Sequence, residues 1–276
     1  MKWIIGDVHG CLKTLLALMD KVESQDSEAE FIFCGDFVDR GPRSAEVVDF
    51  ILKGVKAKEF KAVKGNHEGL MYSYFQSKFE SNWTSRNGGP QTIRSYRNYY
   101  PEMDNEELEL KMEEDAEFLY SLPLYLILDD VDDRRRKLLV SHAPCLDFID
   151  DYLSLYGLNA APDASEKYED KFGLHARCQI TKMEELFDWN RQLPANKSEK
   201  YFNITGHNIT GHLLERNGKI EGYDSETEVI INIDKGYACI DTGAFVNYEY
   251  SETYGGKMTA ISFPNKEIIQ QENIEV

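Results

Sequence analysis

The stretch FIFCGDFVDRG, residues 31–41, decides the fold, because it runs a buried strand straight into residues suited to metal and phosphate chemistry. Phe31 to Cys34 are apolar and β-prone, which reads as a short core strand. Gly35 ends that strand, Asp36, Asp39 and Arg40 follow on a tight loop, and Gly41 and Pro42 punctuate the turn. A carboxylate placed there can hold a metal, and a guanidinium can hold a phosphate.

The same construction recurs along the chain. KWII leads into Gly6-Asp7 with His9 two residues on, and KAVK leads into Gly65-Asn66-His67-Glu68. KLLV leads into Ser141-His142, and FNIT leads into Gly206-His207. Five apolar runs thus end in a small residue followed by Asp, Asn or His. In open α/β sheets ligands bind in the crevice outside the carboxyl ends of the strands. Five strand ends delivering oxygen and imidazole donors to one crevice describe a metal site.

With 276 residues, the chain reads as one α/β domain over residues 1–276, with cap-like insertions at about 80–122 and 144–200. Charged residues at 29% and hydrophobic residues at 42% fit a globular protein, and the formal charge of -18 disfavours nucleic acid and anionic membranes as partners. Cys11, Cys34, Cys145, Cys178 and Cys239 are scattered singly, which points to free thiols in a reducing, cytoplasmic setting. The N-terminus lacks the apolar core of a secretory signal, and no run reaches the roughly 18 apolar residues of a membrane span.

Leu12, Leu15, Leu16, Leu18, Met19 and Val22 form a helical stripe over residues 12–24. A helix from Ser44, the expected N-cap, to Val55, a strand at 61–64 and a helix after Glu68 continue the alternation, which implies a parallel sheet in this half. NWTSRNGGP reads as loop, and the acidic amphipathic helix that follows in the 80–122 region reads as a peripheral cap. PLYLIL and KLLV read as a strand pair whose charged connection DDVDDRRR is a solvated hairpin tip. Helical pieces are expected near 145–156 and 181–187. VIINI, YACI, KMTAISF and KEIIQ read as short antiparallel additions.

Two divalent ions suit this set of donors: Asp7 and His9 on one side, Asn66, His142 and His207 on the other, and Asp36 bridging. Mixed carboxylate, amide and imidazole donors favour Mn, Fe or Zn over Mg or Ca. Two such ions lower the pKa of a bridging water and neutralise a phosphoryl group during in-line displacement. Arg40 and Arg191 are the candidate phosphate donors. His67 is placed to protonate the leaving oxygen, with Asp39 orienting it. His207 follows an apolar strand directly and is preferred to His212. His175 and Trp189 read as structural, and Asn87 is foremost a turn residue that could also touch substrate.

GDVHG at 6–10, GDFVDRG at 35–41 and GNHE at 65–68 together resemble the signature of calcineurin-like metallophosphoesterases, in the phosphoprotein phosphatase branch. NGG at 87–89, SHA at 141–143, WNR at 189–191, TGH at 205–207 and IDTGA at 240–244 fall in the order of the bacteriophage-lambda and bacterial protein phosphatases. The resemblance implies a four-layer α/β/β/α sandwich and an active enzyme with a preference for Mn. It implies the same six metal ligands, Arg40 and Arg191 on phosphate, and the Asp39–His67 pair at the leaving group.

Lys64 stands where many relatives have Arg, keeping the charge but losing bidentate geometry. The eukaryotic motif SAPNY is absent. Symmetrical diadenosine tetraphosphate hydrolases usually read GDVQG where this chain has His9, which favours a phosphomonoesterase. The main expectation is therefore a protein serine/threonine phosphatase, with phosphoserine, phosphothreonine or phosphotyrosine in proteins as its substrates. The alternatives are a symmetrical dinucleoside-tetraphosphate hydrolase or other small-molecule phosphoesterase, and, more remotely, a non-catalytic regulatory module.

Overall fold

Strand alternation sorts the apolar residues of this chain onto two faces of two sheets. The computed structural model describes residues 1–77, 82–156, 185–246 and 255–275. The first sheet runs in the order β10 (Ile268–Glu272), β9 (Lys257–Phe263), β1 (Lys2–Ile5), β2 (Glu30–Phe33), β3 (Phe60–Ala62). The second runs β4 (Tyr125–Val131), β5 (Lys137–Ser141), β6 (Tyr201–Thr205), β8 (Tyr237–Cys239), β7 (Ile230–Asn232). Ile4, Ile32 and Ile261 of the first sheet share a core with Leu138, Val140, Phe202, Ile204 and Ala238 of the second. Their alternate neighbours Trp3, Ile5, Phe31, Phe33 and Ala260 belong to a different core on the opposite face.

That opposite face is covered by α1 (Leu12–Gln25), α2 (Ser44–Ala57), α3 (Asn66–Gln76), α4 (Trp83–Arg86), α5 (Gly89–Tyr99) and α6 (Asn105–Tyr120). On the far side of the second sheet, α7 (Ile149–Tyr156) and the helical segment 185–189 pack through Ile149, Tyr152 and Phe187 onto Tyr125 and Leu139. There α8 (Thr210–Asn217) packs through Leu213 onto Ile230 and Tyr237. The result is a helix, sheet, sheet, helix sandwich. Strands buried on both faces lose polar alternation, which is why KWII and KLLV read as continuous apolar runs.

β1, β2 and β3 are parallel, as are β5, β6 and β8, while β4, β7, β9 and β10 pair antiparallel at the margins. The C-terminal ends of six parallel strands therefore open on one edge of the sandwich. YACI departs from its expected role, since β8 lies parallel to β6 and adds a sixth such end.

Three further local expectations are corrected. The described part of 80–122 is not peripheral: Trp83, Tyr96, Met112 and Leu119 are buried in the same core as Trp3 and Phe33. The acidic helix is expected as a helix, but its charged outer face conceals how deeply its apolar stripe is buried. DDVDDRRR is not wholly solvated either. Arg136 is buried, donating from Nε and Nη2 to Asp132 Oδ2 at 2.9 and 2.7 Å and from Nη1 to the Ile233 carbonyl at 2.9 Å. Ser44 is the first residue of α2 rather than its cap, and its Oγ accepts from the Asp39 N–H at 3.1 Å and lies 3.2 Å from the Thr92 hydroxyl oxygen. His175 and Cys178 lie outside the described residues, as does the start of the helix expected at 181–187. Among the described residues no helix is long and apolar enough to cross a membrane.

Removing Asp132 strands a buried guanidinium. Asp132→Ala is expected to lower the free energy of urea unfolding by about 3 kcal/mol. Asp129→Ala, which breaks the exposed pair with Lys137, is expected to leave the midpoint unmoved.

Candidate metal and phosphate site

Each strand end hands its side chains to the crevice through a short, tightly held loop. The first two loops are locked by backbone bonds: the N–H groups of Val8 and His9 donate to the Asp36 carbonyl at 3.1 and 2.8 Å. The Gly206 N–H donates to the His142 carbonyl at 3.0 Å, and the His207 N–H to Asp7 Oδ1 at 3.0 Å. A Cβ at Gly206 would run into that same Oδ1, so only glycine lets β6 approach Asp7. Of nine non-glycine residues with positive φ among those described, five are here: His9, Asp36, Asp39, Arg40 and His207. Left-handed backbone costs on the order of 1 kcal/mol or more per residue and persists where surrounding contacts enforce it.

Asp36 faces two groups of donors at once. Its Oδ2 lies 3.5 Å from His9 Nε2 and its Oδ1 lies 3.4 Å from His142 Nε2. On one side, His9 Nδ1 is 2.8 Å from the Val38 carbonyl and so carries the proton, which leaves Nε2 as a lone pair 4.0 Å from Asp7 Oδ2. On the other side, His142 Nδ1 is 2.8 Å from the Cys34 carbonyl, which likewise turns the Nε2 lone pair inward. It meets Asn66 Oδ1 at 3.0 Å and His207 Nδ1 at 3.1 Å, and the last two are 2.9 Å apart. Four acceptor atoms thus converge with at most one proton between them. Asp7 Oδ2 and His207 Nε2 are buried without a hydrogen-bond partner. Such mutual repulsion is relieved by a cation, and Asp36, His142 and His207 are, among the described residues, one of two groups whose donor atoms lie within 4.8 Å of each other. His9, Asp36 and His67 are the other. The residues present fit divalent ions.

The electrostatics agree. Burial, then Arg40 and His67, hold His9 well below its usual pKa, and burial together with His142 takes His207 down to about 2, so both imidazoles are neutral donors. Burial pushes Asp36 upward, but the positive charge near it, that of His67 and Arg40 included, outweighs burial and keeps the carboxyl below the usual range. Asp7 is raised by burial and by the neighbouring Asp241 and Asp36 carboxylates, the penalty of gathering like charges.

Arg40 bridges the two halves of the chemistry, donating from Nη1 to His9 Nε2 at 2.7 Å and from Nη2 to His67 Nε2 at 2.9 Å. Its guanidinium lies 4.5 Å from the Phe245 ring centroid. His67 Nδ1 donates to Asp39 Oδ2 at 2.6 Å. Asp39 also accepts from the Trp83 indole at 2.8 Å and from the Thr92 hydroxyl at 2.7 Å. Burial opposes charge on His67, but Asp36 and Asp39 more than offset it, so its pKa is raised. Gly88, at φ 97°, lies so close that a Cβ would sit 2.6 Å from the Arg40 nitrogen.

Beside these residues opens a cavity of about 510 Å³, lined by Asp36, Arg40, Asn66, Arg191, His207 and Phe245 and, on α8, by His212 and Arg216. His207, not His212, joins the acceptor cluster, although both reach the cavity. Lys64 and Asn87 do not line it. The Lys64 ammonium lies 3.7 Å from the Tyr120 ring centroid and 3.8 Å from Asp188. Asn87 follows α4 and is partly buried. Trp189 is 43% exposed rather than packed, its ring edge-on to His207.

Three residues of the site were not singled out from the sequence. Glu68, fully buried, accepts from the N–H groups of Gly65, Asp36 and Phe37 at 2.7, 2.8 and 2.8 Å. Trp83 came from a stretch read as loop. Asp241 directly follows the apolar run YACI, two residues past the end of β8, so the strand-end rule applied elsewhere would have found it. One of its oxygens accepts from the Gly243 N–H and the other is buried without a partner. Burial lifts its pKa to about 6.

A family model described as calcineurin-like phosphoesterase matches residues 3–177. The asymmetrical bis(5'-nucleosyl)-tetraphosphatase PrpE of Oceanobacillus iheyensis is 32% identical over 148 residues, 51% of this chain and 54% of the relative. The enzyme of that name from Anoxybacillus flavithermus is 30% identical over 149 residues, 51% of this chain and 56% of the relative. The chain thus spans about half the length of these curated relatives. Among solved structures, a putative diadenosine tetraphosphatase is similar with a TM-score of 0.47 and 17% identity, covering 99% of this chain and 93% of that one. A Saccharomyces cerevisiae protein serine/threonine phosphatase with similarity to human PP5 has a TM-score of 0.45 and 17% identity, covering 100% and 80%.

Restoring a divalent transition ion to metal-stripped protein, at about 100 times its Kd, is expected to add about 2.7 kcal/mol of stability. That corresponds to a melting temperature higher by roughly 5–10 °C in a differential scan. Asp36→Asn, which weakens both donor groups together, should abolish most of the rise, whereas an equal rise in parent and variant would place the ions elsewhere.

Proposed function

We propose, from the premise that this chain belongs to the calcineurin-like phosphoesterase family, that it hydrolyses the phosphoanhydride bridge of dinucleoside polyphosphates, cutting it asymmetrically. The observation that carries the phosphoester chemistry is Asp36, set between two clusters of inward-turned lone pairs with the Arg40, His67 and Asp39 chain alongside. The substrate class is supported by the curated relatives, which are named for asymmetrical cleavage of bis(5'-nucleosyl) tetraphosphates. The symmetrical cleavage considered from the sequence gives way to this reading, in keeping with His9 standing where symmetrical enzymes usually have Gln.

Asp7, His9 and Asp36 would hold one divalent ion and Asp36, Asn66, His142 and His207 a second, with Mn the first choice. When bound, such a pair supplies Lewis acidity to phosphoryl oxygens and acidifies water. The chain's own residues do the rest. Arg40 and Arg191 bind the phosphoryl oxygens and orient phosphorus for in-line attack. In the free protein Arg40 occupies the His67 Nε2 lone pair. A bound phosphoryl group draws the guanidinium away, and Nε2 is then free to carry a proton. Asp39, held by Trp83 and Thr92, fixes the Nδ1–H tautomer and favours the imidazolium that donates to the departing oxygen.

Phosphoprotein hydrolysis is the second reading, favoured by the order of the sequence motifs from NGG through IDTGA. The same centre would serve it. A reducing, cytoplasmic setting belongs to the same proposal, since Cys11, Cys34, Cys145 and Cys239 are unpaired thiols.

The deciding assay is turnover of diadenosine tetraphosphate, phosphopeptides and p-nitrophenyl phosphate by metal-stripped protein with Mn restored. Release of ATP and AMP from the dinucleotide, well above phosphopeptide turnover, is expected. His67→Asn should lower kcat about 100- to 10,000-fold. Trp83→Phe, which removes one donor to Asp39, should lower it about tenfold. Turnover of phosphopeptides alone would transfer the assignment to the second reading, and no metal-dependent turnover of any substrate would sink both.

A further inference from the structure

The cavity holds more positive charge than one phosphate uses. Arg216 projects from the last turn of α8 into the lining that Arg40 and Arg191 share. Among the described residues, neither Arg191 nor Arg216 has a carboxylate partner, and both are exposed. In a chain with 49 acidic and 31 basic side chains, three guanidiniums line this one cavity. Arg134, by contrast, meets Asp234 at 2.7 Å, and the buried Arg136 meets Asp132 at 2.7 Å. The like charges act on each other: burial first, then Arg216 and Arg40, lower the pKa of Arg191. A multivalent anion relieves that repulsion.

Volume points the same way. Orthophosphate has five heavy atoms and displaces on the order of five water volumes, about 150 Å³, against a cavity of about 510 Å³. A second cavity of about 450 Å³ shares Arg191 and Leu213 with the first and adds Lys219 and Lys235 to its lining. A phosphate chain that starts at the Asp36 centre and runs outward over Arg191 and Arg216 stays beside cationic groups.

We infer that Arg216 extends the phosphate site outward from Arg40 and Arg191 and holds the phosphoryl groups beyond the one attacked, so that the site takes a linear polyphosphate of at least three phosphoryl groups. This rests on the dinucleotide reading for its substrate, but the subsite recognises the chain itself, whether capped by nucleosides or inorganic. Arg216 is a binding residue here, and the reaction centre does not include it.

The test is the affinity of the metal-loaded protein, in excess Mn, for inorganic tripolyphosphate and for orthophosphate. It is read by calorimetric titration and by competition with p-nitrophenyl phosphate. The parent protein is expected to prefer tripolyphosphate, and Arg216→Ala to cut that preference about five- to tenfold. Arg216→Lys should retain part of it, keeping charge but not the fork. Chelation of Mn by tripolyphosphate acts alike on parent and variants and cancels in the ratio. An unchanged ratio in Arg216→Ala overturns the subsite even if diadenosine tetraphosphate is cleaved. An Arg216-dependent ratio without dinucleotide cleavage upholds the subsite and defeats the substrate reading instead. A raised KM of Arg216→Ala for diadenosine tetraphosphate supports the subsite with a nucleotide chain as its natural occupant, and an effect on tripolyphosphate alone supports it with an inorganic one.

Discussion

The site depends on one buried carboxylate that touches no donor of the acceptor cluster. Glu68 gathers the Gly65, Asp36 and Phe37 N–H groups, taken from the ends of β2 and β3, onto its two oxygens. Without it those donors would face a dry interior unpaired, at a cost of about 1–3 kcal/mol each. Burial and the nearby Asp36 charge push the Glu68 pKa up to about 7, while the N–H groups pull the other way. The strand-end loop thereby gains a fixed register against α3. Asp36 and Asn66, on opposite sides of this clasp, face the crevice because Glu68 holds their backbones together.

With that clasp in place, the unfavourable features of the site become intelligible as a set. Left-handed backbone at five side-chain-bearing residues, inward-facing lone pairs and clustered carboxylates each work against folding. The sandwich supports them because its conventional parts lie elsewhere: the intersheet core of Ile4, Ile32, Val140 and Ile204, and the helix-side core that Trp83 and Tyr96 complete. Trp83 belongs to both worlds, since its ring fills the core while its indole nitrogen serves Asp39. A stretch that read as loop is therefore coupled to the orientation of His67.

Much of this was legible in the sequence, for a definable reason. A strand buried on both faces must be apolar throughout, so its end is marked sharply by the first small or polar residue, and Asp7, Asp36, Asn66, His142 and His207 all sit within a residue or two of such a boundary. Helices carry no comparable mark when their outer face is polar. For that reason the sequence places α6, rightly read as an amphipathic helix, at the periphery, while Trp83 sits in a Gly- and Asn-rich stretch whose composition reads as loop. Pairing across distance left no local trace at all: Arg136 and Asp132 lie in a run of charges whose composition is that of an exposed tip, and only the fold brings Ile233 and Phe202 against the guanidinium. Lys64 misled in the opposite sense, because its neighbours in sequence belong to the site while its ammonium turns toward Tyr120 and Asp188.

The charge distribution bears on the substrate proposed for this site. A net charge of -18 would repel a polyphosphate at long range. Salt screens that repulsion beyond about 8–10 Å, so what an arriving anion meets at close quarters is the local lining of the cavity, where Arg40, Arg191 and Arg216 stand within reach of one another. Acidic surroundings then act as a filter. An anion that engages one guanidinium gains little over the background field, whereas a chain that engages several at once gains enough to enter. On the proposed reading, selectivity for extended phosphates over single ones follows from where Arg191 and Arg216 stand, rather than from the overall charge.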